Sequence, residues 1–536
     1  MAVAFFFGMM LFGTIFKPGI RDGWMPLHIV NLFVIVSYGL LVLLIWTLII
    51  KYIKRKYTEK PTKRAERRFL LLFFGGLIIT QALFLSQINL PMNAQCMSIT
   101  GTSTICVWDW NFIAQGAANA VGQQSSGIDT FTLDYLHVHQ NNIPIFYLMK
   151  TIFRLAAVFG ITNFQLVGVI FNVIMINLSL LLIYLTARRL FGARKAMFSL
   201  AISASILPVI LMYTPIFYTD TLSLPFPIAM FYLYLVYRNA QDKRKAFWLI
   251  PAIALLAFLG AMIKFSVMIM LVAIVIDMIV YTSKTTWKRT ILSLGAMVAV
   301  IAPLLLLYAN LAQTHIHDRS KTQLVTTPWT HYFMMGLGSS NGGQYSVDDD
   351  RATSTKPSVQ AAIDYNLSEI KKRLADHGLT YPVFLYGKAL ATWTDGTYES
   401  LYRLGNTSLI TTDYHPSAFQ SFLTTHDSKH AASPISPMGL MNAVTVLLLV
   451  ALFIGGIKTY ADSARQKTDR SRALLQLSIM GVAGFLLLWE TNSRYLVNFL
   501  PLVIVATTPT LYTLAPSAIH RIKISYLAAR QKLLKY

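Results

Sequence analysis

The chain has 536 residues, of which 55% are hydrophobic and only 13% charged, against about 25% charged in an ordinary soluble protein. With a mean hydropathy of +0.53, these values exclude a conventional soluble enzyme, a disordered chain and a fibrous protein, and point to a multi-span membrane protein. The net charge of +23, from 46 Lys+Arg against 23 Asp+Glu, fits a nucleic-acid binder or a charge-oriented membrane protein, and its distribution separates the two.

Apolar runs near the roughly 20 residues that cross a bilayer as helix recur along the chain. They predict spans at 3–17, 28–50, 69–90, 163–186, 196–214, 221–237, 246–263, 266–282, 290–311, 437–457, 473–490 and 496–515. The first run has neither a basic lead nor a small-residue cleavage site, so it does not read as a signal peptide. Residues 143–160 are amphipathic, with Lys150 and Arg154, and predict a surface or re-entrant helix. Alternation then places 51–68, 187–195, 238–245, 283–289, 458–472 and 516–536 on one side. These segments hold 30 of the 46 Lys+Arg and only five acids, Glu59, Glu66, Asp242, Asp462 and Asp469. The whole basic excess thus lies on one face, which the positive-inside rule makes cytoplasmic. Short basic loops scattered between spans argue against nucleic acid.

The expected fold class is an all-α polytopic integral membrane protein with about 12 transmembrane helices and a mainly helical extracytoplasmic domain. Residues 1–68 form two spans and a basic cytoplasmic loop. Residues 69–311 form the transmembrane core, with a first outer loop at 91–142. Residues 312–436 form the extracytoplasmic domain, with ten basic and eleven acidic residues and seven of the eleven histidines. Residues 437–536 form the last spans and a basic cytoplasmic tail. The expected localisation is the cell membrane, with the active site on the extracytoplasmic face and the C-terminus in the cytoplasm.

In the first outer loop Asp109 stands between Trp108 and Trp110. An apolar wall raises a carboxylate's basicity; the alternative is an interfacial aromatic anchor beside a solvated acid. Downstream, Asp134, His137, His139 and Asn142 form a run dense in hydrogen-bonding groups. Recognition of a sugar or phosphate suits it better than a metal, since a lone His-x-His is weak. Asp220 follows Tyr218-Thr219 at a span end, as a helix cap or a functional acid. Lys264 and Arg494 are isolated cations on outer turns, against the charge bias. They either snorkel or grip the phosphate of an anionic lipid. His331, Tyr345 and Asp395 sit among glycines and aromatics typical of turns that present side chains, and Tyr495 adjoins Arg494. Asp277 lies within a span, the best support for a transporter. Cys96 and Cys106, with nine residues between them, lie on the oxidising side and are a disulfide candidate, with two free thiols as the alternative.

Taken together, these segments resemble the GT-C superfamily of polytopic glycosyltransferases that use polyprenyl-phosphate sugars, such as protein O-mannosyltransferases and the aminoarabinose transferase of lipid A. The residues that carry the resemblance are Asp109, Asn141-Asn142-Ile143-Pro144, Tyr218-Thr219-Asp220-Thr221, Ile263-Lys264, His331 through Leu337, Gly342 through Ser346, and Ser493-Arg494-Tyr495. They are most similar to a bacterial, Gram-positive branch related to the mannosyltransferases, over about residues 69–515. The superfamily often shows two adjacent acids in the first loop, whereas Asp109 is flanked by tryptophans, which weakens any metal-binding pair. The spans at 3–50 precede the family's first helix.

The resemblance implies inverting transfer of a sugar from undecaprenyl phosphate to a hydroxyl of an envelope glycopolymer, glycolipid or protein. Asp109 would be the general base and Lys264 and Arg494 the phosphate-binding cations. Asp134, His137, His139, Asn142, Asp220, His331, Tyr345, Asp395 and Tyr495 would contact substrate. No cofactor, metal or nucleic-acid partner is expected. The rival readings are a lipid-linked sugar flippase or other transporter, and a non-catalytic envelope scaffold.

Overall fold

The computed structural model describes the chain except for residues 20–22, 27–28, 58–60, 89–96, 99–103, 106–108, 123–127, 406–416, 420–436, 466–468 and 534–536. Cys96, Cys106 and Trp108 lie outside the described residues, and with them the disulfide candidate. Among the described residues, nine helices are long and apolar enough to span a bilayer: Phe33–Lys56, Lys63–Ser86, Phe164–Phe191, Thr219–Asn239, Arg244–Ile263, Trp287–His317, Met438–Ala464, Arg470–Leu488 and Ser493–Gln531. A tenth is broken, with Ala193–Ser205 and Leu207–Tyr213 meeting at 62°. Pro208 explains the break, because it donates no N–H and its ring clashes with the preceding turn.

Two expected spans are short. The run at 3–17 gives a helix, Ala2–Ile15, that stops at an antiparallel hairpin of Phe16–Gly19 with Gly23–Pro26. Fourteen residues reach only about 21 Å, too little to cross alone. This helix instead packs into the bundle, where Gly8 lies against Phe453 and Gly456 against Ala4. The second short one is Met268–Val280, entered through the 3-10 turn Phe265–Val267. The amphipathic segment forms Ile143–Val158, burying Ile145, Phe146, Met149 and Phe153 and leaving Leu155 and Val158 exposed, as a surface helix does.

The basic end of the bundle is clamped by two ion pairs whose acids are buried. Arg188 binds Glu66 at 2.5 Å, with the Tyr184 hydroxyl donating to the same carboxylate. Arg470 binds Asp277 at 2.6 Å, and the Tyr234 hydroxyl donates to Asp277 at 2.7 Å. Asp277, the intramembrane acid that favoured a transporter, is therefore satisfied within the protein at the basic end.

At the other end, residues 312–405 supply the helices Trp329–Gly336, Val347–Ser354, Val359–His377, Tyr381–Trp393 and Ser400–Gly405. A small core of Met334, Leu337 and Ile370 joins the first and third of them. Arg373 ties them further, donating to both Asp349 oxygens and to the Met334 carbonyl.

Candidate functional site

Asp109 is the first residue of the helix Asp109–Gly122, where the positive end of the helix dipole favours a carboxylate. Trp110 is fully buried, edge-on to Phe217 with ring centroids 5.4 Å apart, and anchors this helix start. Phe112 stacks on Tyr135 at 4.7 Å and aligns the phenol beneath Asp109. The Tyr135 hydroxyl donates to Asp109 Oδ1 at 2.7 Å and accepts from Asn142 Nδ2 at 2.8 Å. The Tyr218 hydroxyl lies 3.4 Å from Asp109 Oδ2 and 3.2 Å from Asn142 Oδ1. Asn142 stands just before Ile143–Val158, whose first turn contains Pro144, the favoured place for proline at a helix start.

Tyr218 and Asp220 begin the helix Thr219–Leu222. The loop before them is fixed by the buried Asn172, whose Nδ2 donates to the carbonyls of Tyr213 and Thr214 at 2.9 Å. Asp220 is buried. One of its oxygens is paired with Lys264 and the other with Arg494 at 3.1 Å. Lys264 reaches it because its own backbone is extended, φ −152°, where the helix Leu249–Ile263 ends. Both cations also face the Tyr495 ring, at 4.7 and 4.9 Å from its centroid. Lys264 and Arg494 are therefore not the isolated cations that their sequence positions suggest, and Asp220 is occupied in holding them.

A third element brings in Glu490. The Tyr495 hydroxyl donates to Glu490 Oε1 at 2.9 Å. The Glu490 amide donates to the Tyr332 carbonyl and the Thr491 amide to the Gly343 carbonyl, both at 2.8 Å. Tyr332 stacks on Trp489 at 5.4 Å, and its hydroxyl donates to Asn141. The segment His331 through Leu337 thus docks directly onto the turn before Arg494. Gly336 is required there, since a Cβ would come within 2.7 Å of the Leu488 and Trp489 carbonyl groups.

Electrostatics gather the acids. Burial raises the Asp350 pKa, as does nearby Asp109, while His139 and the Tyr345 hydroxyl oppose the rise. Burial likewise raises Glu490, again with Asp109 adding to it and Arg494 opposing. The site therefore has an acidic side of Asp109, Asp350 and Glu490 with Tyr332, Tyr345 and His139, beside a cationic side of Lys264 and Arg494. Among the described residues, no three His, Cys, Asp or Glu side chains converge with metal-binding spacing.

The structure gathers Asp109, His139, Asn142, Asp220, Lys264, Tyr345, Arg494 and Tyr495 at this end. The other four expected substrate contacts are bonded within the protein. Asp134 accepts from Ser320 and from the amides of Lys321 and Thr322, and so fixes a turn. The His137 imidazole packs on His317, with ring nitrogens 3.1 Å apart. His331 is 1% exposed and bonded to Thr353, and burial lowers its pKa to about 4. Asp395 holds its own turn through Thr397 and accepts from Ser493 at 2.6 Å. Sequence reasoning passed over Tyr135, Asn172 and Glu490. The signal for Glu490 was present, as an acid at a span end two residues before the Asn492-Ser493-Arg494-Tyr495 turn.

A family model described as "Conserved hypothetical integral membrane protein" matches residues 3–513. No curated protein matches the chain. Among solved structures the chain is similar to the oligosaccharyltransferase AglB from Archaeoglobus fulgidus, in complex with an inhibitory peptide and a dolichol-phosphate. The identity is 13%, the TM-score 0.40, and the match covers 86% of this chain and 52% of that one. The apo form of the Archaeoglobus fulgidus oligosaccharyltransferase matches at 15% identity and TM-score 0.41, with the same coverages of 86% and 52%. ArnT from Cupriavidus metallidurans, bound to undecaprenyl phosphate, matches at 12% identity and TM-score 0.30, covering 82% of this chain and 77% of that one. The chain thus spans about half the length of the archaeal enzyme.

Proposed function

This chain belongs to the conserved hypothetical integral membrane protein family, and on that premise we propose that it is a membrane glycosyltransferase of GT-C type. It transfers a sugar from a polyprenyl phosphate to a hydroxyl of an envelope acceptor at the non-basic end of the bundle. The observation that carries this reading is the joining of a partly exposed carboxylate, Asp109, to a buried cation pair through one short segment. Tyr218 reaches Asp109, and Asp220, two residues on, holds Lys264 and Arg494.

In the proposed reaction Asp109 takes the proton of the acceptor hydroxyl. Its orientation is set by the Tyr135 hydroxyl and by Asn142 behind it. The acceptor oxygen bonds to the anomeric carbon and the carbon–oxygen bond to phosphate breaks. The electron pair leaves with the phosphate, and configuration inverts. Lys264, Arg494 and Asp220 together carry one positive charge, which suits the negative charge that grows on the leaving phosphate. Fixed charges in a dry site stabilise such development strongly. The donor class comes from the sequence resemblance; the acceptor is left as a hydroxyl. Asp277, the residue that favoured the transporter reading, is paired with Arg470.

The test is sugar transfer by purified protein from an undecaprenyl-phosphate donor. Asp109→Asn is expected to lower turnover by about 10²–10⁴-fold, the usual contribution of a general base, with insertion unchanged. Glu490→Gln and Asp350→Asn are the comparisons, because both acids lie close to Asp109. Turnover near wild type in Asp109→Asn, with loss in either comparison variant, would move the base to that acid.

A further inference from the structure

Lys388 lies on the helix Tyr381–Trp393 and is among the largest fully buried side chains of the protein. Its Nζ donates to the Gly336 carbonyl at 2.6 Å, the Leu487 carbonyl at 3.0 Å and the Trp489 carbonyl at 2.6 Å. Those acceptors belong to two helix C-termini that converge on one point, Trp329–Gly336 from the outer domain and Arg470–Leu488 from the bundle. Helix C-termini leave carbonyls without intrahelical donors and carry partial negative charge. A single ammonium with three donors satisfies both ends at once.

The junction leaves no slack. Gly343 has φ +77°, and a Cβ there would meet the Gly336 carbonyl oxygen at 2.7 Å and Lys388 Cε at 2.9 Å. Thr392, one turn along from Lys388, bonds Thr491 at 2.7 Å. The chain leaves this junction straight into Glu490 and Thr491, whose amides are bonded to Tyr332 and Gly343, and then into Arg494 and Tyr495.

We propose that Lys388 is a positioning residue: by capping the two helix ends together it fixes the 489–495 turn, and with it Glu490 and Arg494, against Tyr332 and the Asp109 cluster. That this turn serves glycosyl transfer rests on the function proposed above; the capping itself does not. Lys388 acts through the backbone that carries Glu490 and Arg494, and through its charge beside Glu490.

Hydrogen exchange read by mass spectrometry on the full chain in nanodiscs tests the capping independently of activity. Burial lowers the Lys388 pKa to about 7, with Glu490 opposing, so exchange near pH 6 keeps the ammonium charged. Lys388→Met keeps the length and removes the charge. Exchange across 488–495 is expected to accelerate by about tenfold or more, the scale of losing hydrogen bonds to a charged donor, while the helix Val359–His377 is unchanged. Lys388→Arg, which keeps a cationic donor, is expected to recover part of the protection. In the transfer assay the Met variant is expected to lose kcat and to raise KM for the donor, whose phosphate Arg494 is proposed to bind, with little change in KM for the acceptor. Unchanged exchange at 488–495 in Lys388→Met, or equal loosening in the Arg and Met variants, overturns the proposal. If Lys388→Met does not fold, Gly343→Ala, whose Cβ presses on Lys388 Cε and on the Gly336 carbonyl that the ammonium caps, must loosen the same peptide or the proposal falls. Loosened exchange in a protein without transfer activity would support the capping and count against the function.

Discussion

Replacing Asp220 by Asn is the most revealing single perturbation of the site. The change keeps shape but removes the one carboxylate paired with both Lys264 and Arg494, leaving Glu490 and Glu399 as the nearby acids. At the 3.1 Å separation from Arg494, and an effective dielectric of about 20, the attraction of that one pair is roughly 5 kcal/mol. Desolvation offsets part of it. Removing one partner from a buried ion pair costs about 3–5 kcal/mol in practice, because the remaining charge is stranded. Here Glu490 and Glu399 still face the two cations, so a loss within that range, not above it, is expected. Such a loss is a large part of the roughly 5–15 kcal/mol that holds a folded domain. Thermal unfolding in detergent, followed by intrinsic fluorescence, gives the readout. Asp220→Asn should melt well below wild type. Asp220→Asn with Lys264→Met should recover some of the loss, since one stranded cation is gone. The expected coupling is about 1–3 kcal/mol, as for residues in one network. An Asp220→Asn protein that melts with wild type, or a double variant whose losses simply add, would refute the account of two cations held by one carboxylate.

Three further outcomes are expected. Lys264→Met or Arg494→Met should raise KM for the polyprenyl-phosphate donor more than for the acceptor; an unchanged donor KM in both variants would remove the phosphate-binding role. The folded His331 pKa is about 4, below an unfolded value near 6.5, so its contribution to stability is complete above about pH 6.5 and falls as pH drops towards 4. His331→Gln should flatten that part of the melting-temperature profile, and an identical acid limb in both proteins would contradict it. Asp277→Asn should destabilise by about 1–3 kcal/mol through loss of the charged hydrogen bonds to the part-exposed Arg470, while the turnover of the protein that remains folded stays unchanged; loss of turnover without loss of stability would bring Asp277 back as a functional acid.

The sequence by itself determined the membrane character, the approximate place of the helices and the gathering of positive charge at one end. These follow from hydropathy and charge summed over neighbouring residues, which a helix keeps in register with the bilayer whatever it packs against. It also marked Asp109, Asn142, Lys264, Arg494 and Tyr495, because polar residues at span ends are conspicuous against an apolar background. Partnership was another matter. Asp220 lies 44 residues from Lys264 and 274 from Arg494, and only packing of the helices shows that two seemingly isolated cations share one carboxylate. In the same way tertiary structure closed Asp277 onto Arg470, gave Asp134, His331 and Asp395 their partners within the protein, and brought Glu490 and Asp350 towards Asp109. Hydropathy is a local property, while the energy of a charge depends on what surrounds it after folding, and that is decided by contacts between segments far apart in the chain.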